Sequence, residues 1–543
     1  MPDNNLNSGQ LQQQEEGRLV GWRLIAVIGS LCIGIFLFGL DVNIVGVAVP
    51  QITTQFNSLP DVAWYGSAYL LTLTAFQPMF GNLYKYFNGK AIYLVSLTIF
   101  EVGSVICAAA PTSPVLIFGR AFLGLGAAGL LQGALAIIGH VVTIEKVPLF
   151  QGIVVSSLAV SVTVGPVIGG ALTQYVSWPQ QSNAPVGVVV IVVVFLFVPT
   201  AQPLDKANEN LPLREKLRHM DGVGLVLFLG AVTSLLLVLT WGGQMYSWND
   251  QKIIGLFVGF GLLTVAFCWW LVRRGDLALI PLQVLKIRSI YIGSVSLLGF
   301  GILSVVYGYY LPILFQSAQG ASITESGLRY IALVGPQIVA LLITGAIVSV
   351  WGYYVPYMVA GGIICSVGAG LLTTVEVDTS TPKWAAYLVL TGIGLGMGAQ
   401  LPYTALQAVL APADVATGNA IAVFSFHLAG GIGTAIGQNL LIGGLYTAVP
   451  QYTDAISAAT VIQAGANGLT HIATSPDVLV ALRSAYVQAV RRTIILGLAG
   501  VILATLAACF MERVNIKHVS EERKRAEVSV ESSPKPEVPD IKV

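Results

Sequence analysis

The chain has 543 residues, of which 55% are hydrophobic and only 10% are charged, and its formal net charge is +1. Soluble domains carry about 25% charged residues, so this composition excludes an ordinary soluble globular protein. The near-neutral charge, without a basic patch, also excludes a nucleic-acid partner.

Long apolar stretches follow one another along most of the chain. A helix of about 20 apolar residues spans the hydrocarbon core of a bilayer, and the backbone must satisfy its own hydrogen bonds there. We therefore predict an all-α polytopic membrane protein with fourteen transmembrane helices, over 24–49, 62–80, 91–109, 115–138, 148–175, 185–202, 222–242, 252–271, 290–315, 328–350, 353–375, 384–406, 417–442 and 493–511.

These spans predict seven units in chain order. The last of them is rich in Lys, Glu, Ser and Pro, a composition typical of disorder. The units are a cytoplasmic N-terminal tail 1–21, an N-terminal six-helix bundle 22–202, a cytoplasmic loop 203–221, two extra helices 222–271, a cytoplasmic loop 272–289, a C-terminal six-helix bundle 290–511 with a long outer loop 443–492, and a disordered cytoplasmic tail 512–543.

The Lys and Arg residues predict the orientation. About twenty of the 27 fall on one side of the predicted spans, which the positive-inside rule assigns to the cytoplasm. Both chain ends then lie in the cytoplasm. We expect a multi-pass protein of the plasma membrane, with the vacuolar membrane as the alternative.

Three charged residues lie deep inside predicted spans: Asp41 in the first, Glu101 in the third and Arg120 in the fourth. Such groups cost about 2.5–3.5 kcal/mol each in a membrane helix, which favours a functional role. At about 1.5 Å rise per residue they fall at similar depth, so we predict a proton-coupling cluster. Two acids and one arginine leave one acid without a full partner, which suits a proton carrier. The alternative for Glu101 is a purely structural role.

The fourth span contains three closely spaced glycines, Gly124, Gly126 and Gly129. Their spacing matches the dinucleotide-binding fingerprint, but that motif requires a preceding strand, and this segment is one apolar helix. We interpret them as helix-packing residues. Gly394 and Gly396 repeat the pattern in the twelfth span, and Gly345 near the end of the tenth repeats Gly81 just after the second. A displacement of eight spans indicates two six-helix bundles separated by two extra helices, an arrangement typical of transporters.

The fifth span contains Gly165-Pro166 followed by Gly169 and Gly170. Proline removes a backbone donor and kinks the helix, and the glycines permit close packing. Other polar residues recur inside the spans, either bonding neighbouring helices or facing a cavity. The candidates for a substrate cavity are Asn43, Gln132, Gln337, Gln400 and His427.

No pattern indicates a cofactor or a metal. The five cysteines lie in apolar spans without metal-ligand spacing, and the five histidines are scattered. No HExxH motif, acidic metal cluster or Ser-His-Asp set is present, so we do not expect an enzyme.

The chain resembles the major facilitator superfamily, in particular its fourteen-span drug:proton antiporters and the fungal toxin and multidrug efflux pumps. The resemblance rests on Asp41-Val42-Asn43-Ile44-Val45 with Pro50, on the run from Arg120 to Gly126, and on Gly165-Pro166-x-x-Gly169-Gly170, the signature associated with antiporters. It covers roughly 24–511 and implies the major facilitator fold. One departure is Lys85, which stands where the superfamily's loop motif has an acid.

The resemblance implies a transporter that exports a small amphipathic organic compound, such as a toxin, secondary metabolite or drug, in exchange for protons. Its partners would be that substrate, protons and the lipid bilayer, and we expect a monomer. Two alternatives stay open. One is a proton-coupled importer of the same fold for a siderophore or nutrient, and the other is a polytopic membrane enzyme or receptor.

Overall fold

A computed structural model describes residues 21–56, 61–175, 184–198, 211–243, 245–411 and 414–531. Over these ranges the chain is almost entirely helical. We number the helices of nine or more residues in chain order: α1 Trp22–Phe56, α2 Val62–Ala75, α3 Gln77–Tyr86, α4 Gly89–Ala108, α5 Ser113–Val141, α6 Val147–Tyr175, α7 Ala184–Phe197, α8 Gly222–Trp241, α9 Gln251–Arg274, α10 Arg288–Gln319, α11 Ile323–Trp351, α12 Val355–Leu372, α13 Thr381–Gly398, α14 Leu401–Val409, α15 Val415–Tyr452, α16 Pro476–Cys509 and α17 Ile516–Glu531.

The helical membrane fold is confirmed. Within the described ranges, 12 helical stretches are long and apolar enough to cross a membrane. The second predicted span lies on α2 and α3, which a turn at Phe76 separates, although backbone hydrogen bonds continue through that turn. The sixth lies on α7, of which 14 residues are described. The count of fourteen spans therefore stays a prediction.

Glycines allow helices to pack closely at equivalent positions within each of the two predicted bundles. A Cβ atom at Gly124 would overlap the backbone of Tyr69 in α2, and one at Gly126 would overlap Phe100 in α4. In the second bundle, a Cβ at Gly394 would overlap Cys365 in α12, and one at Gly396 would overlap the Gln337 carbonyl in α11. Helix α5 thus packs on α2 and α4 as α13 packs on α11 and α12, the arrangement that the repeated glycines indicate.

One of the two extra helices, α8, lies at a seam between the bundles. Trp241 of α8 contacts Trp64 of α2 with ring centroids 5.4 Å apart, and Phe228 of α8 contacts Phe424 of α15 at 5.1 Å. Helix α9 packs on α8 through Phe267 and leaves most of its apolar surface exposed. One helix of the insert therefore touches both bundles, and the other lies at the periphery.

The predicted outer loop 443–492 is wrong in extent. Helix α15 continues to Tyr452 and α16 begins at Pro476, so the connection is only 453–475. Gly444 lets the two helices approach, because a Cβ there would lie 2.9 Å from the Ala489 Cα. Ser475 caps α16 by accepting a hydrogen bond from the Val478 N–H. The helices extend past their most apolar segments by packing on each other, which hydrophobicity alone does not reveal.

The prediction that 512–543 is disordered is wrong over Ile516–Glu531, which forms α17. The Ile516 N–H donates to the Gly352 carbonyl at 3.0 Å, and the Ile516 side chain is buried. The Ser520 hydroxyl donates to Glu145 at 2.9 Å. This helix is polar, and a few contacts with distant parts of the chain stabilise it. Its amino-acid composition therefore did not predict a helix. Residues 532–543 lie outside the described ranges.

Candidate functional site

Asp41 and Arg120 form an ion pair inside the helical bundle. Arg120 Nη1 lies 2.5 Å from Asp41 Oδ2, and the arginine side chain is only 3% exposed. Helix α2 holds the same guanidinium, because Nε donates to the Tyr65 carbonyl at 2.9 Å and the Tyr69 ring lies 4.6 Å from Cζ. Arg120 of α5 is thus fixed to α2 and joined to α1 through one carboxylate.

Glu101 does not join this pair by a hydrogen bond. Its side chain is buried, and neither carboxylate oxygen has a hydrogen-bond partner among the described residues. It packs against Gly187 of α7, where a Cβ atom would overlap the carboxyl group. The predicted cluster of three therefore consists of one tight pair and one separate buried acid.

A cavity of about 200 Å³ lies between the two bundles. Helices α1, α2, α5 and α6 line it from one side, and α10, α11, α13, α14 and α15 from the other. Gln337, Gln400 and His427, three of the five candidates for a substrate cavity, line it, and none of the described lining residues is Asp, Glu, Lys or Arg. Most of the wall is apolar or aromatic, with contributions from Phe38, Tyr309, Tyr330, Tyr403 and Phe426.

The ion pair lies next to this cavity along two helices. Phe38 lines the cavity one helical turn before Asp41 in α1. In α2, Leu70 lines the cavity directly after Tyr69, the residue that contacts Arg120. A movement of α1 relative to α2 would therefore change both the ion pair and the cavity wall.

The remaining predicted site residues lie elsewhere. Gln132 is fully buried in α5, does not line the cavity, and has no hydrogen-bond partner among the described residues. Asn43 lies in α1, but its side chain is outside the described part. Gly165 is buried in α6. Pro166, Gly169 and Gly170 follow in the same helix, and their surroundings are likewise outside the described part.

Contacts between the bundles close the cavity toward the end of the molecule that carries α17, which we call the tail end. Gln151 Oε1 of α6 accepts hydrogen bonds from Gln400 Nε2 at 3.3 Å and from the Thr404 hydroxyl at 3.2 Å. Lys85 Nζ lies 2.8 Å from Asp414 Oδ1. A Cβ at Gly345 would lie 2.9 Å from the Pro148 carbonyl oxygen of α6. The sequence predicts that the tail end is cytoplasmic.

Sequence reasoning missed the Lys85–Asp414 pair and the cavity tyrosines. The basic residue at position 85 was visible as a departure from the family motif, but its partner lies 329 residues further along the chain. Tyrosines within apolar helices look alike in a sequence, whether they pack in a core or line a cavity. Among the described residues, no group of three or more His, Cys, Asp or Glu side chains could hold a metal ion.

Comparisons with known proteins identify the family. The model of the Major Facilitator Superfamily matches residues 31–434. The MFS-type efflux pump MFS1 of Arthroderma benhamiae is 38% identical over 501 residues, covering 92% of this chain and 93% of the relative. The efflux pump bfoC of Aspergillus brasiliensis is 39% identical over 505 residues, covering 92% and 89%. The chain therefore belongs to the major facilitator superfamily.

Solved structures agree on the fold. The proton:xylose symporter XylE, bound to 6-bromo-6-deoxy-D-glucose, aligns with a TM-score of 0.57 at 14% identity, covering 92% of this chain and 98% of that one. The human organic anion transporter MFSD10 aligns with a TM-score of 0.54 at 11% identity, covering 89% and 100%. The protein is a multi-pass membrane transporter of a small molecule and is not an enzyme.

Proposed function

We propose that this transporter exports a small amphipathic organic compound in exchange for protons, as a monomer in the plasma membrane. The names of its relatives support export: several fungal proteins at 36–39% identity are called efflux pumps. The observation that carries proton coupling is the Asp41–Arg120 ion pair, which is largely buried and lies beside an uncharged cavity.

The contacts of Arg120 suggest how one proton could move a helix. When Asp41 is ionised, the pair ties α1 to α5. When Asp41 binds a proton, its charge–charge attraction to Arg120 is lost, but Arg120 keeps its contacts with Tyr65 and Tyr69 of α2. Helix α1 is then released while α2 and α5 stay joined. A local change of charge that favours one of two conformations of a protein is a known switching mechanism.

Other titratable groups interact electrostatically with this pair and must be separated from it by experiment: Glu101, Tyr69, Cys107 and Tyr309. Of these, only Glu101 is an acid. We assign the proton to Asp41 because it alone of the two acids contacts Arg120. Glu101 is the alternative carrier.

The closed tail end supports one half of a transport cycle. In the structure, where Asp41 is paired with Arg120, the bundles are joined at Gln151–Gln400 and at Lys85–Asp414. Protonation of Asp41 from outside would favour separation of these contacts. The cavity would then open to the cytoplasm, release the proton and take up substrate. Once Asp41 has lost its proton, the ion pair would form again and the tail end would close. The substrate could then leave only toward the outside.

The same fold also supports symport, as in the proton:xylose symporter XylE, and a symporter driven by inward proton flow would import its substrate. Flux into inside-out membrane vesicles separates the two directions. Under export, a vesicle interior made acidic drives uptake of a neutral aromatic compound from a test panel, and collapse of the pH gradient stops it. Accumulation only in right-side-out vesicles would support the importer instead.

A further inference from the structure

We propose that His427 is a specificity-determining residue, whose Nε2 atom accepts a hydrogen bond from an uncharged aromatic substrate carrying a hydroxyl or N–H group. This inference rests on the proposed function, because it assigns the substrate chemistry of the same cavity.

The backbone of α15 fixes which nitrogen of His427 carries the proton. Nδ1 lies 2.9 Å from the Val423 carbonyl oxygen. A carbonyl oxygen only accepts, so Nδ1 is the donor, and Nε2 of the neutral ring is an acceptor. Among the described residues, the contact with Val423 is the one hydrogen bond that His427 makes, so Nε2 has no partner there. The imidazole therefore offers the cavity a lone pair and no donor.

Two aromatic rings hold the imidazole in this orientation. Phe38 of α1 and Phe426 contact it edge-on, with centroids 5.9 Å and 5.8 Å away at interplanar angles of 81° and 88°. Phe38 belongs to one bundle and His427 to the other, so the acceptor lies where the bundles meet. A backbone hydrogen bond and two neighbouring rings fix the imidazole, so Nε2 accepts from one direction only. A fixed acceptor favours binding of substrates whose donor lies at the matching position.

The other residues that line the cavity indicate which further chemical properties the substrate has. Its described lining has no charged side chain, so an ionised ligand would lose its hydration without gaining a counter-charge. Tyr309 is 48% exposed although it lies within a helix that lines the cavity, and its ring offers a face for stacking. The Gln337 amide adds a polar group to the same side of the cavity. An uncharged aromatic compound with at least one donor fits this lining.

The test is equilibrium binding to the purified full-length protein in nanodiscs, without a proton gradient. The probes are 4-phenylphenol, its O-methyl ether 4-methoxybiphenyl, and the cation tetraphenylphosphonium. One hydrogen bond predicts about a two- to tenfold preference for the phenol over the ether in the wild type. In His427→Phe, which keeps an aromatic ring, the preference should fall to about one. In His427→Gln, which keeps an acceptor, part of it should remain.

Ser425→Ala is the control, because Ser425 bonds to its own helix at the Ile421 carbonyl and does not line the cavity. It should retain the wild-type preference. An unchanged preference in His427→Phe would overturn the assignment, as would a wild type that binds neither neutral probe or binds the cation most tightly. Binding needs no gradient, so loss of proton-driven flux with the phenol preference intact would count against the proposed antiport alone.

Discussion

Lys85 at the end of α3 and Asp414 at the start of α15 form an ion pair across the two bundles at the tail end, with Nζ and Oδ1 2.8 Å apart. The superfamily's loop motif has an acid where this chain has Lys85, so the basic residue is matched by an acid on the opposite bundle. Close packing accompanies the pair, because a Cβ at Gly81 in α3 would lie 2.6 Å from the Ala420 Cβ in α15.

Breaking this pair should favour separation of the bundles at the tail end. Both side chains are partly exposed, so the pair contributes about 0.5–1 kcal/mol and its loss shifts the equilibrium about two- to fivefold. We expect faster maleimide labelling of a cysteine placed at Ala416, which is buried beside Gly81, in Lys85→Ala than in the protein that keeps Lys85. The exchange Lys85→Asp with Asp414→Lys should restore slow labelling. Equal labelling in all three proteins would show that the pair does not hold the end closed.

Gly126 should tolerate no side chain. A Cβ there would overlap the Phe100 and Ser96 backbone of α4, which cannot shift without moving the helix. Gly126→Ala should therefore lower the stability of the folded protein by about 1–3 kcal/mol, measured as a lower unfolding temperature in detergent. Gly139→Ala is the control in the same helix, because no atom lies within 4 Å of its added Cβ. If both variants unfold at the same temperature, α5 and α4 are not packed as described.

Asp221 should be a main attachment point of the two extra helices. Its buried carboxylate accepts from the Gly224 N–H at 3.1 Å, the Trp270 Nε1 at 2.8 Å and the Leu279 N–H at 2.8 Å. Asp221→Ala leaves three donors unpaired and should cost about 2–4 kcal/mol. Asp250→Ala, which removes a helix cap with one backbone bond, should cost about 1 kcal/mol. Thermal unfolding in detergent measures both, and an equal loss would contradict this role for Asp221.

The sequence predicted those features that depend on local composition. Apolar length located the helices, and the rise per residue placed Asp41 and Arg120 at one depth, where the structure joins them. Repeated glycines predicted equivalent packing of α5 and α13. These inferences succeed because a bilayer imposes both helix length and the cost of buried charge.

The features that the sequence did not predict depend on contacts between distant segments. Asp414 becomes the partner of Lys85 only when the bundles meet, and Ile516 is buried only against the turn at Gly352. Glu101 packs against Gly187 and makes no hydrogen bond to Arg120 among the described residues. The position of a side chain along a helix was predictable from the sequence. The direction in which it points around the helix axis was not, because these helices carry apolar residues on all their faces.

Glu101→Gln should preserve proton coupling. The carboxylate makes no hydrogen bond among the described residues, so an amide of the same shape removes a charge without breaking a described contact. We expect substrate-dependent proton movement in proteoliposomes at the wild-type level, with an unfolding temperature that is unchanged or higher. Loss of coupling in this variant, with normal insertion, would identify Glu101 as the carrier instead of Asp41.

The central claim is that the charge of Asp41 holds α1 to Arg120 and thereby biases the tail end toward closure. The most direct measurement is the distance between spin labels at Ala91 and Tyr353, both exposed at that end on opposite bundles, followed against pH in a variant whose five cysteines are replaced by alanine. We predict that lowering the pH increases the population with a long distance, because protonation removes the ion pair. Asp41→Asn should populate the long distance at every pH, while Glu101→Gln should keep the pH response. A pH response in Asp41→Asn identical to that of the parent would contradict the account.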